Sequence, residues 1–165
     1  MRAESNHMSI DHNIRPAQEE DLNSLLLLLP ELAAFDLPEK RNPADLWTSD
    51  LSLLEECLTK QLNNTFVDIA ESEDGQVLGF IMVTMREELL SHAPSAHLET
   101  IIVAPEFRGT GLGKVLLRHA EDAAQNRGAQ SLSLHVFKKN KRAHTLYEAE
   151  GFDSELIRAI KWFDK

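Results

Sequence analysis

The chain has 165 residues, 42% hydrophobic and 27% charged, which suits one soluble domain with a full core and leaves little room for a second. Its 17 Lys and Arg against 27 Asp and Glu give a formal net charge of -10, the opposite of the balance usual in nucleic-acid or membrane-surface binders. A single cysteine, Cys57, excludes an internal disulfide and a cysteine-based zinc site, and nothing demands an oxidising compartment.

Met1 to His7 reads as a vector-derived tail before a natural start at Met8, so that residues 8–165 form one domain. Ile10 to Arg15 reads as a first strand, and Asp21 to Phe35 as a leucine-rich helix with acidic residues at its positive end. The run Leu25 to Leu29 stops at Pro30, well short of the roughly 20 apolar residues of a membrane span. It also lacks the basic flank and small-residue cleavage site of a signal peptide, so a cytoplasmic protein is expected. Asn42-Pro43 opens a second amphipathic helix through about Lys60, on which Cys57 lies among leucines as a core residue.

Phe66 to Glu71 and Val77 to Met85 flank a Gly-containing turn and read as a hairpin. Ser91 to Ser95 reads as a loop, and Leu98 to Val103 as a further apolar strand. A glycine-rich turn follows, then a helix from about Gly111 to Asn126 closed by Gly128. Ser131 to Phe137 reads as a strand, Lys141 to Glu150 as a short helix stopped at Gly151, and Phe152 to Trp162 as a last strand. Alternation between periods of two and 3.6 marks a mixed α/β or α+β fold.

The turn Arg108-Gly109-Thr110-Gly111-Leu112-Gly113-Lys114 places three alternate glycines between a strand and a helix. Glycines let backbone N–H groups approach a ligand, and a helix N-terminus offers unpaired donors and a dipole suited to phosphate. A Walker A loop would need Gly in place of Arg108 and Ser or Thr in place of Val115; a Rossmann fingerprint would need Gly in place of Lys114. The competing plain reading is a turn that only permits tight packing.

Arg108 to Gly113 resembles the Arg/Gln-x-x-Gly-x-Gly/Ala pyrophosphate loop of the GCN5-related N-acetyltransferase (GNAT) superfamily. Asn140-Lys141-Arg142-Ala143-His144-Thr145-Leu146-Tyr147-Glu148-Ala149-Glu150-Gly151-Phe152 is similar to the Asn-x-x-Ala-x-x-Leu-Tyr-x-x-x-Gly-Phe segment of those enzymes, and Ile14-Arg15-Pro16-Ala17 to their first strand. The resemblance implies a bent mixed sheet of about six to seven strands flanked by about four helices and splayed between its fourth and fifth strands. It implies acetyl-coenzyme A (acetyl-CoA) as co-substrate in that gap. Backbone groups of Ile101, Ile102 and Val103 would meet its pantetheine arm, Arg108, Gly109, Thr110, Gly111, Leu112, Gly113 and Lys114 would wrap its pyrophosphate, and Asn140 and Ala143 would line the other side. Family members are often dimers, which admits a homodimer here.

Acyl transfer from a thioester to an amine needs a deprotonated amine, a stabilised oxyanion and a proton for the departing thiolate. Tyr147, the only tyrosine, stands in the family's Leu-Tyr position, which implies the proton donor; packing on the helix face is the alternative. Alternation puts His97, Glu99, Ile101 and Val103 on one strand face and Leu98, Thr100 and Ile102 on the other. Glu99 breaks an apolar run in a segment similar to the strand of diamine N-acetyltransferases that carries a glutamate base; a solvated or ion-paired glutamate is the alternative, and His97 a weaker substitute. Lys138, Lys139, Lys141 and Arg142 form a basic cluster, either a solvated face or an attraction for the phosphates. No pair of the seven histidines has metal-ligand spacing, so no metal is expected.

The expected activity is N-acetyl transfer to an amine, a small molecule rather than a protein, by direct attack in a ternary complex. The alternative is a non-catalytic acyl-CoA-binding sensor module.

Overall fold

The computed structural model describes residues 11–164, so the expected tail over residues 1–7 and the start of the first strand at Ile10 lie outside the described residues. Five strands form one sheet in sequence order: β1 (His12–Pro16), β2 (Thr65–Ser72), β3 (Val77–Glu87), β4 (Pro94–Val103) and β5 (Leu132–Leu134). The first four are antiparallel neighbours, and β5 runs parallel to β4. Four α-helices flank them: α1 (Leu22–Leu28), α2 (Thr48–Lys60), α3 (Leu112–Asn126) and α4 (Lys141–Ala149).

The two faces of the sheet carry different cores. On one, Leu112, Leu116, Leu117 and Ala120 of α3 pack on Leu78, Ile81, Val83, Ala96 and Leu98, with Leu146 and Tyr147 of α4 at the margin. On the other, Leu25, Leu29, Leu54 and Leu58 cover Val67, Ile69, Phe80, Met82 and Ile102. Each such buried leucine contributes roughly 1.5–3 kcal/mol. Gly79 lets α3 approach β3: a Cβ there would stand 2.5 Å from the Ile102 carbonyl oxygen and 3.0 Å from Leu116 Cδ1.

The helix expected over Asp21 to Phe35 is interrupted. Pro30 has no N–H for the ladder and its ring clashes with the turn before it. The chain tightens into a 3₁₀ segment, Leu29–Ala33, after α1. The second helix is likewise preceded by a separate 3₁₀ turn, Pro43–Leu46, with Trp47 out of helical geometry at φ -136°. The hairpin stands where expected, turning through Gly75 at φ 79°. The loop expected over Ser91 to Ser95 is shorter, since β4 already begins at Pro94.

The sheet has fewer strands than the six to seven expected. Ser131 to Phe137 yields only Leu132–Leu134, because pairing with β4 ends at Leu98↔Leu134. Phe152 to Trp162 forms no strand, and Leu156 and Ile157 are 62% and 95% exposed. A strand needs a ladder partner, and β5 presents an outer edge of three residues only.

Candidate active site

The ladder between β4 and β5 holds for three pairs, Ala96↔Leu132, His97↔Ser133 and Leu98↔Leu134, and then the strands part. From Glu99 to Val103 the edge of β4 that faces β5 has no strand to bond. A cavity of about 570 Å³ fills the gap, walled by β4, by Leu134 to Phe137, by the glycine turn and by α4. The splay implied by the family resemblance therefore has a visible origin in a short parallel ladder.

At the inner end of β4 the chain makes a 3₁₀ turn, Pro105–Phe107, before the glycine turn. Gly109 and Gly111 have φ of 76° and 88°, and Gly111 is the residue on which α3 starts. Positive φ is nearly free for glycine and costly for other residues. A Cβ at either position would meet nothing within 4 Å, so packing does not require these glycines; the backbone path does. Gly113 is different, since its φ is ordinary and a Cβ would sit 3.6 Å from Leu146, in normal contact. Leu112, Gly113 and Lys114 border the cavity, and first-turn N–H groups have no partner within their own helix. The Thr110 hydroxyl donates to the Phe107 carbonyl at 2.6 Å and braces the turn.

The side chains around this turn are partly engaged. Arg108 lines the cavity and donates to Glu31 Oε2 at 2.8 Å, so part of its guanidinium is already engaged. Arg142 also lines the cavity, and burial, then the charge of Arg108, lowers its pKa. Of the basic cluster, Lys139 is paired with Asp36 at 3.1 Å. Asn140 caps α4, its Oδ1 accepting from the Ala143 N–H at 3.3 Å, so its first duty is to start the helix that presents Tyr147. Tyr147 lines the cavity, packs edge-on to Phe152 at 5.9 Å between ring centroids, and has its hydroxyl pKa pushed up to about 12 by burial.

The alternation expected along β4 does not survive. Val83 pairs with Leu98 and Met82 with Thr100, so Glu99 is an extra residue, a β-bulge. The bulge shifts the phase: Ala96, Leu98, Ile101 and Val103 join the α3 face, whereas Ile102 joins the α1–α2 face. His97 therefore does not share a face with Ile101. Its Nδ1 meets Ser133 Oγ at 2.8 Å, its ring sits tilted by 59° against His135 at 4.7 Å between centroids, and its Nε2 lies 4.0 Å from Glu99 Oε2. Burial, then the charges of Arg86 and His135, lowers the His97 pKa to about 4, so the ring is neutral near pH 7.

Three ionisable residues of the cavity, Glu31, Asp50 and His135, escaped the sequence reading. Asp50, in the first turn of α2, lines the same cavity as Glu99, and burial followed by repulsion from Glu99 raises its pKa to about 6. An acidic residue in a first helical turn is expected from the dipole alone, and that ordinary signal concealed it. Cys57 is buried, its Sγ 3.3 Å from the Thr65 carbonyl oxygen, and is a core residue. Among the described residues no cluster of His, Cys, Asp and Glu could hold a metal ion, and no helix is long and apolar enough to cross a membrane.

The profile of the Acetyltransferase (GNAT) family matches residues 28–152, a range that spans α2, the bulged strand, the glycine turn and α4. The chain belongs to that family. This GNAT acetyltransferase is 28% identical to thialysine N-epsilon-acetyltransferase of Bos taurus over 159 residues, 90% of this chain and 88% of that protein. It is 39% identical to streptothricin acetyltransferase of Streptomyces lavendulae over 93 residues, a match confined to 52% of this chain and 49% of that protein. Among solved structures, a putative acetyl transferase from Pyrococcus furiosus superposes with TM-score 0.75 at 24% identity, covering 93% of this chain and 100% of that one. AAC(6')-Iy, solved with the bisubstrate analog CoA-S-monomethyl-acetylneamine, superposes with TM-score 0.70 at 23% identity, covering 94% and 99%. These two likenesses establish the fold.

Proposed function

We propose that this acetyltransferase takes acetyl-CoA as donor and passes the acetyl group to a primary amine by direct attack within a ternary complex. The observation that carries the reading is one cavity at the parting of β4 and β5, which has a phosphate-type helix N-terminus, a buried tyrosine and the carboxylates of Glu31, Asp50 and Glu99 on its walls. A relative named for thialysine N-epsilon acetylation, aligned along 90% of the chain, supports an amine acceptor.

The turn fits a pyrophosphate. Gly109 and Gly111 leave its surface bare, and the amides of Leu112, Gly113 and Lys114 open the 15-residue helix α3 with a favourable dipole. The vacant edge of β4 from Ile101 to Val103 offers amides and carbonyls to the pantetheine arm in place of the missing strand. Ala143 and Asn140 close the opposite wall. Acetyl-CoA, held there, supplies an acetyl group activated as a thioester.

The chain's own residues supply the proton traffic. Glu99, thrust out by its bulge, takes a proton from the acceptor ammonium and leaves the lone pair free for attack. Neutral His97, tied through Nδ1 to Ser133, is too weak a base near pH 7 to replace it. Tyr147 Oη keeps its proton far above neutral pH and delivers it to the departing sulfur. The test is free-thiol release from acetyl-CoA across a panel of amines, beside the melting temperature with acetyl-CoA alone. Turnover with at least one amine is expected; stabilisation by acetyl-CoA with no turnover on any amine would instead establish a binding module.

A further inference from the structure

Between α1 and α2 the chain forms a strap along the cavity, with Glu31, Leu32 and Phe35 on the cavity wall. Leu32 packs on the core under α1 and α2 and roots it. Beyond the 3₁₀ segment Leu29–Ala33, residues 34–42 belong to no helix or strand. Their backbone bonds close locally, Ala34 N–H to Glu31 O at 3.1 Å and Arg41 N–H to Pro38 O at 2.9 Å. Side chains fasten the strap to the rest of the fold. Glu31 Oε2 accepts from Arg108 at 2.8 Å, Phe35 meets Phe137 with ring centroids 5.5 Å apart, and Asp36 pairs with Lys139 at 3.1 Å. At the far end the Arg41 guanidinium lies 4.9 Å from the centre of the Trp162 ring. A segment held this way swings without breaking a backbone ladder.

The charges around Glu31 give the strap a partner to yield to. Arg108 and Arg142 both line the cavity. Burial, then Arg108, lowers the Arg142 pKa, while Glu31 acts in the opposite sense, so one carboxylate serves two guanidiniums. The neighbouring lysines have other partners, Lys114 with Glu150 at 3.6 Å and Lys139 with Asp36. The remaining carboxylates of the cavity wall, Asp50 and Glu99, stand on α2 and β4. A guanidinium fork suits phosphate and carboxylate alike. A phosphate reaching the glycine turn would meet Glu31 as a like charge in a partly buried place, in a chain whose net charge of -10 already opposes a polyanion.

We infer that Glu31 is a displaceable counter-ion, which neutralises Arg108 and Arg142 in the free protein and gives way to a phosphate of the donor, so that donor binding releases the strap over residues 34–41. The inference rests on the proposed use of acetyl-CoA and adds a regulation of that same site. One anion replaces another on the same guanidiniums, so the arginines are never left without a counter-charge. The other ties on this side do not hold the strap alone, since the Asp36–Lys139 pair is exposed and such pairs contribute little. The contacts that close the strap therefore oppose the ligand, and cutting them tightens donor binding.

The experiment titrates coenzyme A and inorganic pyrophosphate by calorimetry into the wild type, Glu31→Gln, Glu31→Asp and Phe35→Ala, and follows hydrogen exchange of residues 34–41 with and without coenzyme A. Glu31→Gln should tighten both ligands by about three- to fivefold, the size of one half-exposed ion pair. Glu31→Asp keeps the charge and should stay near the wild type. Phe35→Ala changes no charge, so its tightening of coenzyme A by about twofold separates strap release from simple loss of repulsion. In the wild type, coenzyme A should speed exchange of the strap; in Glu31→Gln that exchange should already be fast and indifferent to the ligand. Weaker coenzyme A binding in Glu31→Gln, or a strap whose exchange slows or stays the same when coenzyme A binds the wild type, overturns the inference while the binding itself still upholds the donor reading. Tighter pyrophosphate binding in Glu31→Gln, with coenzyme A bound by neither protein, upholds the counter-ion exchange and overturns acetyl-CoA as the donor.

Discussion

The two ends of the cavity are built in opposite ways. The end formed by the glycine turn, α3 and Asn140 is one of contiguous backbone: its donors are amides in a row, its special geometry sits in Gly109 and Gly111, and its side chains are mostly engaged with each other. The end formed by Asp50 and Glu99 is made of ionisable side chains from separate elements, α2 and β4. A backbone cradle recognises a constant group in many proteins with the same few residues. A side-chain pocket can be rebuilt one substitution at a time, and it is where members of one family come to differ in acceptor.

Two changes should break this division, and the larger lies between the two ends. Tyr147→Phe keeps the ring packed on Phe152 and removes only the hydroxyl proton. General-acid catalysis contributes about 10²- to 10⁴-fold, so kcat should drop by that order while affinity for acetyl-CoA stays near the wild-type value. With the hydroxyl pKa near 12, no loss of wild-type activity from its ionisation should appear below about pH 11. Full kcat in the variant, with chemistry rate-limiting, returns Tyr147 to a packing role.

At the cradle, Gly111→Val forces a β-branched residue to φ 88° at the head of α3, a strain of order 1–3 kcal/mol. The thermal shift produced by acetyl-CoA should vanish in this variant. A wild-type shift in a folded Gly111→Val protein removes the cradle assignment. Gly113→Ala is the control, because its Cβ would make only ordinary contacts at 3.6 and 3.8 Å.

The same contrast governs what the sequence reveals. Arg108 to Lys114 and Asn140 to Phe152 could be read as motifs because a backbone cradle and a helix cap are local and their residues are neighbours in the chain. The mixed fold and the hairpin were legible for the same reason. Asp50 was hidden because its role depends on meeting Glu99 across the fold, and its own surroundings ask for an acid anyway. The bulge at Glu99 is a property of register against β3, which the run from Leu98 to Val103 does not encode by itself. The expected last strand failed because a strand's existence depends on a partner edge, and three residues of β5 do not supply one.

The smallest effect gives the finest test of the acceptor end, since Asp50 and His97 titrate there with opposite signs. Asp50 has a folded pKa near 6 against a reference of 3.8, so the native state holds the extra proton between those values and stability falls as pH rises through that window. His97 has a folded pKa near 4 against 6.5, so the unfolded state holds the extra proton and stability falls as pH drops from 6.5 toward 4. Where the windows overlap the two slopes oppose, and the wild type should show a nearly flat contribution from the pair. Asp50→Asn removes one slope. The variant should match the wild type near pH 4 and become more stable by about 1–2 kcal/mol above pH 6, after discounting for the part of Asp50 that solvent still reaches. Urea unfolding at steps from pH 4 to 8 measures both the gain and the uncovered His97 slope. A variant less stable than the wild type at pH 7.5 would mean that the Asp50 carboxylate is already compensated within the free protein.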